Sequence, residues 1–136
     1  MRLSALLLAA FSLFAITGTV LARSAPLVDP DPIAIPAGLT QEQVAKDIKR
    51  ALIARGWSVT SEQPGQIDST LHLRTHTARI QATYDDKQVR LAYVSSEELG
   101  YKEKNGKRSI HPNYLGWVGF LVNDINTNFK VSESGG

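Results

Sequence analysis

The chain has 136 residues, with 15 Lys and Arg against 13 Asp and Glu, and no cysteine. Near-balance of charge excludes the broad basic field of a nucleic-acid binder. The missing cysteine excludes disulfides and a lipid-modified N-terminal Cys, so a hydrophobic core must hold together the one domain this length suits.

Residues 1–22 read as a secretory signal peptide. Arg2 supplies the charged start, Leu3 to Leu21 is an almost uncharged run, and Val20 and Ala22 stand where a signal peptidase requires small or modest side chains. A spanning helix needs about 20 apolar residues, and Ser4, Ser12, Thr17, Gly18 and Thr19 dilute this run. Cleavage before Arg23 is the expectation, with an uncleaved anchor as its alternative. It leaves no stable transmembrane segment and puts the protein in the periplasm or outside the cell. The leader holds one basic residue, Arg2, and no acid, so the remainder carries 14 basic against 13 acidic side chains. The one local excess is Lys102, Lys104, Lys107 and Arg108.

Residues 23–38 contain Pro26, Pro30, Pro32 and Pro36 with few periodic apolar positions, the pattern of an extended tether. The domain is expected over residues 39–130. Thr40 followed by Gln43 is a capping-box pattern, Val44, Ile48, Ala51 and Leu52 share one helical face, and Gly56 supplies a stop. Trp57 and Val59 then alternate with Ser58, Thr60 and Glu62 up to a turn at Pro64 and Gly65.

Leu71 and Leu73 lie on one parity, whereas Ala78, Ile80, Ala82 and Tyr84 lie on the other. A single strand cannot bury both sets, so a turn or bulge near Thr75 to Thr77 must separate two strands. Asp85 to Lys87 forms the next turn and Val89 to Val94 a fourth strand. Gly100 to Ser109 reads as a polar loop or short hairpin. Pro112 opens a last helix, with Tyr114, Trp117, Leu121, Ile125 and Phe129 at helical spacing. Residues 131–136 read as a disordered tail. The prediction is an α+β two-layer sandwich: helix, four mostly antiparallel strands, helix, with both helices on one sheet face.

The histidines, His72, His76 and His111, are the first candidates for chemistry, because imidazole exchanges protons near neutral pH. On one regular strand His72 and His76 would stand about 13 Å apart, too far to chelate one ion. No spacing predicts a metal site, and there is no nucleotide fingerprint or nucleophile turn, so no cofactor is expected and catalysis is disfavoured. Two ligand-contact groups remain. Arg74 and His76 flank the register break, where a bulge would aim an anion-binding guanidinium into a groove lined by Tyr84 and Tyr93. Lys107, Arg108 and His111 precede the last helix, whose N-terminus favours an anion. Trp57 and Trp117 read as core, and Phe120, off the main stripe, offers a homodimer edge.

Arg55, Gly56 and Trp57, the Pro64–Gly65 turn, Arg74, His76 and Ala78, and then Tyr84 and Asp85 carry a resemblance that continues through Tyr93, Ser96, Leu99 and Tyr101. It closes with Ile110, His111, Tyr114, Trp117, Asp124 and Ile125. Over about residues 40–128 the chain resembles a family of small, mostly uncharacterised exported proteins and lipoproteins of Gram-negative bacteria. The resemblance implies a compartment and a fold more than an activity, and this chain departs from the lipoproteins in lacking their Cys. The functional expectation is a non-catalytic envelope binding or assembly module whose partner is an envelope protein, a glycan or an anionic lipid. A small hydrolase or metal enzyme using His76 or His111, and a homodimer through the last helix, are the alternatives.

Overall fold

The computed structural model describes residues 23–135, so the signal-peptide reading and residue 136 lie outside the described residues. The first helix, α1 (Gln41–Ala54), begins where the capping pattern places it, with Thr40 Oγ1 accepting the Gln43 N–H at 3.1 Å. Only half of the capping box forms. The Gln43 side chain turns inward and donates to Asp47 Oδ1 at 3.0 Å and Ser132 Oγ at 2.9 Å. The helix ends in a Schellman arrangement, with Gly56 at φ 86°, its N–H on Ile53 and the Trp57 N–H on Leu52.

Among the described residues there are eight strands: β1 (Ala25–Pro26), β2 (Ile33–Ala34), β3 (Ser58–Gln63), β4 (Gln66–Leu73), β5 (His76–Tyr84), β6 (Gln88–Glu97), β7 (Lys102–Lys104) and β8 (Lys107–Ile110). They form two antiparallel sheets, a five-stranded one in the order β2-β6-β5-β4-β3 and a three-stranded one in the order β1-β8-β7. The fold is α+β, but the expected four strands are only β3 to β6, four of the five in the larger sheet. The extra strands come from stretches too short or too polar to show a period-two pattern of their own.

The proline-rich segment is not a tether. Ala25 and Pro26 pair with Ile110 and Ser109, Ile33 and Ala34 pair with Val89 and Gln88, and Leu27, Ile33 and Ile35 are buried. Proline lacks an amide donor but is tolerated on an edge strand, where β1 and β2 both lie. Nor are residues 131–135 a disordered tail: the second helix, α2 (Pro112–Glu133), runs on to Glu133.

The parity conflict is resolved by a tight hairpin. Leu73 pairs with His76 across the two-residue turn Arg74–Thr75, and Leu71 then faces Ala78, Ser69 faces Ile80 and Ile67 faces Ala82. Residues directly opposite share a sheet face, so both apolar sets point to the same side. Arg74 holds a left-handed φ of 57° to make that turn. A second irregularity falls between Val59 and Ser61. It shifts Glu62 away from the solvent-facing parity expected of it, to where its carboxylate pairs with Lys49 of α1 at 3.0 Å.

α2 buries Tyr114, Val118, Leu121, Ile125 and Phe129. Trp57 is fully packed, whereas Trp117 is only half-buried and borders the core rather than filling it. The helices are also tied by polar contacts around Asp47, which is fully buried. Its carboxylate accepts from Gln43 and, at 2.6 Å, from the Ser132 hydroxyl, while its backbone carbonyl accepts from Asn128 at 3.0 Å. Buried charge survives only when its lone pairs are satisfied.

Asp47→Ala should therefore cost about 2 kcal/mol, the scale of hydrogen bonds to a charged group, with loss of the α1–α2 tie visible in urea denaturation. Ile33→Ala should cost about 3 kcal/mol, as for a buried aliphatic truncation. A shift of the urea midpoint near zero for Ile33→Ala would show that the 23–38 segment is not part of the folded unit.

Candidate functional site

The two predicted ligand groups fall at different places. In the first, Arg74 is exposed at the β4–β5 turn with no ion pair among the described residues. His76, at the start of β5, directs Nδ1 to the Glu98 carbonyl oxygen at 2.5 Å and lies 6.2 Å, ring to ring, from Trp117. Its ring thus fixes the segment after β6 to the larger sheet. Tyr84 does not join them. It ends β5, eight residues from His76, which is about 26 Å along a strand.

Beside Trp117 lies a small cleft of about 170 Å³, lined in part by Trp57, Leu73, Trp117 and Phe120. Its charged border is already paired. Arg55 donates to both Asp124 oxygens, at 2.7 and 3.1 Å, and its guanidinium sits 4.7 Å from the centre of the Phe120 ring. The Arg55 guanidinium holds the Asp124 carboxyl below the ordinary carboxylate range.

Tyr93 belongs to another cluster. It stacks on Tyr101 at 4.8 Å and meets Tyr114 edge-on at 5.5 Å, and its hydroxyl is 2.7 Å from Ser96 Oγ. This cluster bridges the two sheets and α2. Burial raises the Tyr93 phenol, and raises that of Tyr114 further, well above the usual tyrosine range.

His72 faces Thr77 across the hairpin, on the side opposite His76, with its Nδ1 3.2 Å from Thr77 Oγ1. His111 caps α2, Nδ1 accepting the Asn113 N–H at 3.1 Å, which occupies the helix start that was expected to draw an anion. Among the described residues no three His, Asp or Glu side chains are placed to share a metal ion. Asp85, by contrast, is a turn former: Oδ1 accepts from the Lys87 and Gln88 amides at 2.8 Å each, which lowers its carboxyl.

The second group is divided by the β7–β8 hairpin. Lys104 pairs with Lys107, Glu103 with Arg108 and Lys102 with Ser109. Opposite residues share a face, so Lys102, Lys104 and Lys107 stand together on one side and Arg108 on the other. All three lysines are exposed, with no carboxylate within ion-pair distance among the described residues. Arg108 turns inward to Asp29 at 3.7 Å. Asn105 and Gly106, at φ 54° and 74°, make the tight turn that brings Lys104 opposite Lys107. An open groove of about 690 Å³ runs between this hairpin and residues 24–28. The periodic charge was visible in the sequence, but the part of residues 24–28 in walling the groove was hidden by the tether reading.

No family model, curated protein or solved structure matches the chain. No helix among the described residues is long and apolar enough to cross a membrane.

The raised Tyr114 phenol gives a pH test. The folded state favours its neutral form, so that contribution is whole below about pH 10, the ordinary tyrosine value, and is lost as pH climbs toward the folded-state value. Phenolate absorbance and circular dichroism followed together should show one tyrosine ionising only as the fold is lost. Tyr114→Phe should move alkaline unfolding to higher pH.

Proposed function

We propose that this chain is an exported, non-catalytic binding or assembly module of the bacterial envelope, and that its contact surface is the outer face of the three-stranded sheet. The observation that carries the reading is the set of Lys102, Lys104 and Lys107, exposed on one face and free of acidic partners among the described residues. Holding like charges together without counter-ions costs stability and suits an anionic partner. Export rests on residues 1–22 and on the resemblance to small exported proteins and lipoproteins of Gram-negative bacteria.

The reading takes α1 and α2 to cover one face of the five-stranded sheet as a two-layer sandwich. The other face is then polar and internally paired: Asp68 with Gln81 at 3.0 Å, and Arg79 with Ser95 and Glu97 at 3.3 Å each. Such a surface is already satisfied, and offers a partner less than the unpaired lysines do. Self-association through α2 draws on Phe120, 49% exposed, yet Arg55 already lies over that ring. Arg74 and His76 remain a secondary contact, because His76 is engaged by the Glu98 carbonyl.

An amide-shift titration with peptidoglycan fragments, anionic lipid and soluble envelope proteins tests this reading. Saturable shifts should cluster on residues 24–28 and 102–109. K102E/K104E/K107E should weaken binding at least tenfold with the spectrum otherwise native. Shifts clustered on Arg74 or Phe120 would move the site to the β4–β5 turn and α2.

A further inference from the structure

The charged face lies beside the point where the chain enters the fold. Ala25 pairs with Ile110 and Pro26 with Ser109, so β1 is the immediate neighbour of the strand that carries Lys107. Ala25 is only three residues beyond Ala22, the end of the apolar leader, and three residues span at most about 11 Å. Until it is cleaved before Arg23, the apolar run Leu3–Leu21 thus precedes the edge of the small sheet by only a few residues.

The face is also amphipathic. Pro26 is exposed and lies in register with Ser109 and Lys102, while Val28 follows the buried Leu27 and is itself 71% exposed. Lysines around an exposed aliphatic side chain are the arrangement by which a peripheral surface meets lipid: ammonium groups reach the phosphates and the apolar side chain enters the headgroup boundary. A soluble glycan would use the charge and leave Val28 without a role.

We infer, resting on the contact surface proposed above, that Lys102, Lys104 and Lys107 with Pro26 and Val28 dock the domain on an anionic phospholipid bilayer. The three lysines carry the charge dependence and Val28 the insertion. The inward Arg108, paired with Asp29, keeps the hairpin flat against the fold rather than contacting lipid.

The chain has no cysteine, so Val28→Cys in the full chain accepts one environment-sensitive dye. The labelled chain is combined with phosphatidylglycerol/phosphatidylcholine vesicles and with phosphatidylcholine vesicles, and quenching by neutral acrylamide is measured. Several-fold shielding on the anionic vesicles alone is expected, lost in high salt and in both K102E/K104E/K107E and K102Q/K104Q/K107Q, with circular dichroism confirming that the variants fold. Equal quenching on both vesicle types overturns the lipid assignment. If the dye then responds to peptidoglycan fragments, the contact surface stands and only its ligand class falls. A dye silent toward vesicles, fragments and envelope proteins alike overturns both readings.

Discussion

The carboxylate of Asp29 joins the two sheets, and much of the rest follows from that joint. Oδ1 accepts the Tyr93 amide of β6 at 3.0 Å, and Oδ2 faces Arg108 of β8 at 3.7 Å. Asp29 sits between β1, which belongs to the small sheet, and β2, which belongs to the large one. A short strap with one anchored carboxylate thus fixes the small sheet on the large one. β7 and β8 by themselves would be a two-stranded ribbon, and such ribbons are marginal alone; this carboxylate acts together with the β1–β8 pairing and the buried Ile110 to place the lysine hairpin.

The aromatic cluster reinforces the joint in an apolar way. Tyr101 enters from the turn before β7, Tyr93 from β6 and Tyr114 from the first turn of α2. Edge-on and stacked rings of this kind contribute roughly 0.5–1.5 kcal/mol per pair beyond their buried area. His76 and His111 serve the same end, one gripping the Glu98 carbonyl and the other capping α2, while the His111 amide bonds to Leu99. The two side chains hold one loop between them.

The helices and inner strands were legible because their signals are local and periodic. Thr40, Gly56 and Pro112 mark helix ends through backbone hydrogen bonding alone, and the parity reversal between Leu71 and Ala78 forces a turn whatever surrounds it. The short edge strands were not legible. Ala25–Pro26 and Ile33–Ala34 are two residues each, below the length at which a period can be read, and their stability comes from partners far along the chain. The same limit hid Asp47, which looks like an ordinary surface acid until Gln43 and Ser132 close around it. It also hid the fate of Tyr84, which parity alone places on the same sheet face as His76 but at the far end of the strand.

By itself the sequence determined the local facts: where the helices start and where the first one stops, which residues of β4 to β6 face the core, the balanced charge and the lysine excess after Gly100. These depend on dihedral preferences and on the period of side chains along one segment. Only the tertiary structure decided that the proline-rich segment is a strap across both sheets, that Arg108 turns inward while Lys102, Lys104 and Lys107 remain outside, and that His76 and His111 reach one loop. Each of these is a pairing between segments distant in sequence, set by strand register and burial, and no window along the chain contains both partners.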